Sequence, residues 1–231
     1  MKRHSGTKRA SRLLLWKLRL RAAAAALGAV AFGSAYFFVR QAFKDGVWRF
    51  DFYLFNKSLA AASLFLIALS MLLTSVHFLS RRPRRTLAYR KHLGLAGFWT
   101  GAAHGLASHF FLPEKFPLFS WMAGHPAEAG LGLAALALFG GMAVLSLSSV
   151  KGKLGGERWR RLLRWAGYAA LVLAAVHAGA LKWTSWTKYF RTFSSVLPSF
   201  SLPVVLFAAA TLILRLTVLV FGRRRKARTP S

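Results

Sequence analysis

Hydrophobic and polar positions fall along this chain in long blocks. Six runs stay apolar for close to the ~20 residues that a helix needs to cross hydrocarbon: residues 22–39, 58–79, 93–112, 127–149, 162–181 and 200–221. The fourth and fifth are diluted by Gly and Ala and have the least sharp edges. A backbone surrounded by lipid must satisfy its own hydrogen bonds, so runs of this kind predict helices. The expected fold is all-α: a polytopic membrane helix bundle of six transmembrane helices over 22–221, with basic tails at 1–21 and 222–231. Gly33-Ser34-Ala35 has the small residues of a leader cleavage site, but the first run is read as an uncleaved span. No loop is long enough for a separate soluble domain, and there is no internal repeat.

Composition agrees with lipid as the solvent, since 55% of residues are hydrophobic and only 17% charged. The charge itself is lopsided: 34 Lys and Arg against 5 Asp and Glu, a net +29. Such a balance invites a nucleic-acid reading, but its distribution argues against one. Basic residues come in bursts: Lys2 to Arg21 before the first run, Arg81 to Lys91 after the second, Lys151 to Arg164 after the fourth, and Arg223 to Arg228 after the sixth. The three intervening loops hold eight Lys/Arg and four of the five acids. By the positive-inside rule, both termini face the cytoplasm of a bacterial inner membrane, with membrane lipid as the surrounding partner and no role for nucleic acid. The outer loops are aromatic, with Trp48, Phe50, Phe52, Tyr53 and Phe55 after the first span and Trp183, Trp186, Tyr189, Phe190 and Phe193 after the fifth. The second of these stretches is expected to lie flat on the outer surface.

With no cysteine, thiolate ligands, iron–sulfur clusters, disulfides and thiol catalysis are excluded. The candidate chemistry lies in the histidines, because an ionisable side chain within a span is costly enough to imply a function. Along the third span, Gly94, Gly97, Gly101, His104 and Ser108 recur at helical spacing, so one face is nearly bare except for an imidazole. The fifth span repeats this with Gly167, Ala170, Ala174, His177 and Ala180. Two such faces at matching outer depth suit a flat macrocycle: small residues make room for the ring, and His104 and His177 ligate the iron of a heme b from opposite sides. The competing explanation is that both stripes are small-residue packing faces. His109, near the outer surface, is placed to meet a heme propionate. His92 reads as an interfacial helix-end residue, His4 and His125 as surface residues, and His77 continues a polar stripe with Ser63, Ser70 and Thr74. Arg215 is expected to snorkel to the inner headgroups.

The stretch Arg90-Lys91-His92-Leu93-Gly94-Leu95 before His104 resembles the ferric reductase-like transmembrane family. Within that family it looks most like the branch of bacterial heme-binding membrane subunits of periplasmic protein-methionine-sulfoxide reductase systems. A second match runs through Ser148-Ser149, Lys153-Leu154-Gly155 and Arg158-Trp159 to Tyr168 and His177. The resemblance implies six spans and bis-histidine heme at His104 and His177. It departs at one position, because the family's second fifth-helix His, nearly four turns before the outer one, is replaced here by Leu163 or Arg164. One heme is therefore expected, and a second would need His77 or His92.

Heme iron with two imidazole ligands has no open position, so the expected role is one-electron transfer. The sequence carries no Gly-rich dinucleotide fingerprint. Electrons would come from quinone chemistry, from a flavin reductase on the basic inner loops or from another subunit of a membrane complex, and would leave to a periplasmic redox protein. A structural or assembly subunit with the same fold is the first alternative. A small-molecule transporter is the second, and is disfavoured because no span carries a carboxylate at its middle.

Overall fold

The computed structural model describes residues 3–80, 85–193 and 196–227. The basic residues Lys2, Arg81, Arg82, Arg84 and Arg228, used above to orient the chain, lie outside them. Among the described residues the protein is helical, without strands: α1 (Arg3–Asp45), α2 (Phe52–Ser80), α3 (Arg85–Phe111), α4 (Leu118–Gly124), α5 (Pro126–Leu145), α6 (Ser148–Leu154), α7 (Gly156–Thr192) and α8 (Ser201–Ala227). Five of these, α1, α2, α5, α7 and α8, are long and apolar enough to cross a membrane, so the chain is a multi-pass helical membrane bundle.

The expected third span corresponds to α3, which has the length, at 27 residues, but not the hydropathy of the other five. It opens on Arg85, Arg90, Lys91 and His92 and is rich in Gly. It packs mainly against α2 and also meets α1 and α5, while Trp99, Leu106, Phe110 and Phe111 stay exposed. The central element is α2, with 56% of its most apolar stretch buried inside the protein against 17–28% for the other four spans. Around it stand α1, α3, α7 and α8, and α5 packs mainly on α7. The core joins Leu64, Ile67 and Met71 of α2 to Phe139 of α5, Tyr168 and Leu171 of α7 and Val204 of α8.

Two expectations change. The aromatic stretch from Trp183 to Phe193 is not a separate surface segment, because α7 runs unbroken for 37 residues and carries it to Thr192. No Pro or Gly lies between Gly179 and Thr192 to stop the helix, which ends where Phe193 takes a left-handed conformation at φ 44°. Arg215 does not simply snorkel: its Nε donates to the Tyr168 hydroxyl at 2.9 Å, tying α8 to α7. At the other end α1 continues without a break from the first apolar run back through the basic tail to Arg3.

Candidate functional site

A cavity of about 440 Å³ opens between α2, α3, α5 and α7, near the N-terminal ends of α2 and α5. His104 of α3 and His177 of α7 both line it. Each imidazole is anchored through the same ring atom. His104 Nδ1 lies 3.1 Å from the backbone oxygen of Asn56 and 2.9 Å from its side-chain Oδ1. Both partners are acceptors, so Nδ1 must carry the proton. His177 Nδ1 lies 2.7 Å from the backbone oxygen of Glu128, which by the same logic makes Nδ1 the donor there. In the neutral form of each ring, Nε2 is then the acceptor. No described group hydrogen-bonds either Nε2, and neither is a buried atom without a partner, so each borders open space.

The anchors set the depth. Asn56 sits in the second turn of α2 and Glu128 in the first turn of α5, each near the N-terminal end of its helix. Asn56, only 1% exposed, is fully engaged. Besides accepting from His104, it donates from Nδ2 to Ser108 Oγ at 2.8 Å, and Ser108 donates to the His104 carbonyl at 2.9 Å. A buried amide satisfied in this way rigidifies the ring it holds. On the other side Gly132 makes room for His177. A Cβ at Gly132 would lie 2.8 Å from His177 Cε1 and 3.0 Å from Nδ1. Gly132 is one turn beyond Glu128 on α5, so its missing side chain is what lets the imidazole reach the Glu128 carbonyl.

The small residues named from the sequence divide into two groups. Gly101 and Ala174 line the cavity together with His104, His109 and His177. Gly97 and Ala170 do not. The glycine stripe of α3 faces α2, where a Cβ at Gly97 would lie 2.6 Å from Ile67 Cγ1 and 3.1 Å from the Ser63 carbonyl. Gly101 is equally tight, at 2.6 Å from Ser63 Oγ, and Ser63 Oγ donates to the Gly97 carbonyl at 2.8 Å. The stripe therefore brings two helix backbones together, as small residues do in membranes, and His104, one turn beyond Gly101, borders the cavity. Ala170, wholly buried, belongs to the core shared by α2, α5, α7 and α8. Neither position borders the space a ring would need.

The other histidines stay apart from this cavity. His125 stacks on Trp121 at 5.3 Å between centroids and is exposed. His92 lies three turns before His104 on α3. His77, in the last turn of α2, has a buried Nδ1 with no partner among the described residues. His4 lies in the first turn of α1. No cluster of three or more His, Asp or Glu able to hold a metal ion occurs among the described residues. The arrangement that exists is two-point: a pair of imidazoles from different helices, each held through Nδ1, with Nε2 facing one cavity.

Asn56, Gly132 and three cations at the cavity mouth, Arg40, Lys57 and Lys182, were not singled out by sequence reasoning. A buried Asn early in a span is a usable signal. Gly132 carried none, being one of several Gly in a Gly/Ala-rich run. Compared with known proteins, the sequence matches no family model and no curated relative.

Proposed function

We propose that the protein is a membrane b-type cytochrome, in which His104 and His177 supply both axial ligands of one heme b and the chain passes electrons to or from a periplasmic or membrane partner. The observation that carries this reading is the matched anchoring of the two rings. Each donates Nδ1–H to a carbonyl oxygen on a neighbouring helix, at 3.1 and 2.9 Å for His104 and 2.7 Å for His177, and keeps Nε2 free beside the cavity. Metal-binding histidines are held in this way: the second-shell bond fixes the tautomer and raises the basicity of the ligating nitrogen. Heme bound there supplies one-electron chemistry, with no coordination position left for oxygen or substrate.

The protein's own part is positioning. Asn56 and Glu128 each hold one ring through Nδ1, which fixes its tautomer and orientation before heme binds. Apolar walls from Leu64, Leu133, Leu136 and Phe139 keep water from the centre, while Gly101 and Ala174 border it without bulk. His109, on the same wall as His104, adds a polar contact towards the outer face.

In this reading α3 is the sixth crossing, its 27 residues spanning about 40 Å at the helical rise. Both termini face the cytoplasm of a bacterial inner membrane, and the heme lies in the outer half. The likeness to ferric reductase-like proteins around His104 and His177 points the same way. Electrons arrive from quinol, from a docked flavin reductase or from another subunit of a membrane complex, and leave to a periplasmic redox protein. An optical spectrum tests the reading. Protein purified from heme-replete cells should show sharp low-spin bands on reduction, with about one heme per chain. His104→Ala and His177→Ala should each remove most of the heme, while His92→Ala and His125→Ala should keep it. Absence of a Soret band from the wild-type protein would sink the proposal.

A further inference from the structure

The mouth of the His104–His177 cavity is cationic. Arg40 from α1, Lys57 from α2 and Lys182 from α7 all line it, and all three are half-buried. They come from three different helices. Lys57 follows the His104 anchor Asn56 directly, and Lys182 stands five residues beyond His177, about 7.5 Å further out by helical rise.

No Asp or Glu lines this cavity. The chain's five acids are occupied or lie elsewhere. Asp45 pairs with Lys44, and Glu157 with Arg161. Asp51 accepts from the Leu54 amide at 2.8 Å, capping α2. Glu114 lies in the loop after α3, and Glu128 contributes its backbone oxygen to His177. Asp51 is the one acid that acts on any of the three, at Lys57, and their hydrogen-bond and ring partners are neutral. Arg40 Nε donates to the Leu197 carbonyl at 3.1 Å, and Lys57 Nζ lies over the Tyr53 ring at 3.8 Å and the Phe37 ring at 5.9 Å. Carbonyl and ring contacts offset only part of the cost of withdrawing charge from water. Three gathered positive charges also repel one another, so the folded protein gains if an anion with more than one negative charge comes to rest between them.

We propose that Arg40, Lys57 and Lys182 are a carboxylate-binding mouth that fixes heme in this cavity with both propionates towards the outer face. The inference rests on the heme reading and adds to it a direction and a set of anchoring residues. Apolar side chains fill the deep end, where Leu64, Ala135 and Phe139 belong to the core, so the polar edge of the ligand has one way to face. Arg and Lys bind carboxylates through charge-assisted hydrogen bonds, which makes the free acid the preferred form of the ligand.

The test compares heme b with its dimethyl ester, which keeps the iron and the ring but has no propionate charge. Full-length protein from heme-limited cells, in detergent, is titrated with each and followed at the Soret band. Wild-type protein should bind heme b about tenfold or more tightly than the ester, as expected for losing charge-assisted bonds. In Lys57→Gln/Lys182→Gln that preference should collapse, with the low-spin bands unchanged because the axial ligands remain. The midpoint potential of the double variant should fall, since cations near the iron favour the reduced state. Equal affinity of the wild-type protein for acid and ester would overturn the proposal without recourse to any variant. Full preference for the acid in a folded double variant would overturn the assignment to these lysines. If neither compound yields a low-spin spectrum in wild-type protein, the heme reading itself fails, and this inference with it.

Discussion

Adding one methyl group at Gly132 should disturb His177 and little else. The Cβ of Gly132→Ala would start 2.8 Å from His177 Cε1, 3.0 Å from Nδ1 and 3.3 Å from Nε2. To reach the ~3.4 Å at which ordinary contact begins, the ring must retreat by about 0.6 Å. It cannot do so and keep its 2.7 Å hydrogen bond to the Glu128 carbonyl, because that carbonyl lies one helical turn away on the same helix. Either the bond is given up, at about 0.5–1.5 kcal/mol, or α5 and α7 move apart, at the roughly 1–3 kcal/mol typical of overpacking. Both routes misplace an axial ligand, so heme affinity should fall by about tenfold, with a range of several-fold to a hundredfold. The assay is heme titration of the variant together with its low-spin spectrum and midpoint potential. Gly130→Ala and Gly141→Ala on the same helix are controls, since a Cβ at either position meets nothing within 4 Å. If Gly132→Ala binds heme with wild-type affinity, spectrum and potential, the described seat of His177 is wrong.

Other expectations follow from the same geometry. Asn56→Leu removes one acceptor from His104 and the link to Ser108; it should cost about 1–3 kcal/mol in unfolding or heme affinity, whereas Asn56→Asp, which keeps an acceptor facing Nδ1, should retain more heme. Gly97→Ala should lower thermal stability in detergent by a few degrees, because its Cβ meets Ile67 and the Ser63 backbone. Combining it with Ile67→Ala should recover part of that loss, and no recovery would mean that the α2–α3 contact is not what suffers. A cytoplasmic reporter fused to the C-terminus should be active and a periplasmic one silent; the reverse would mean an odd number of crossings and would reverse the assigned depth of the site.

Much of the bundle is written in one-dimensional terms. Apolar blocks report the solvent around a helix, so five membrane-length helices and their connections could be read directly from residue order. His104 and His177 were legible for the same reason, since each is an ionisable residue in an apolar run and needs an explanation wherever it points. Hydropathy says less about a helix diluted by glycine. The Gly-rich face of α3 serves mainly the contact with α2, and only Gly101 of its glycines there also borders the cavity. Helical periodicity shows which residues share a face but not what that face meets, so only the tertiary structure separated Gly101 and Ala174 at the cavity from Gly97 and Ala170 in the packing. The residues that complete the site are remote in sequence from those they serve: Asn56 from His104, Glu128 and Gly132 from His177, and Arg40 from Lys182. Hydrogen-bond geometry, excluded volume and charge proximity are properties of pairs of atoms in space. The order of residues along the chain specifies such pairs only after the helices have packed.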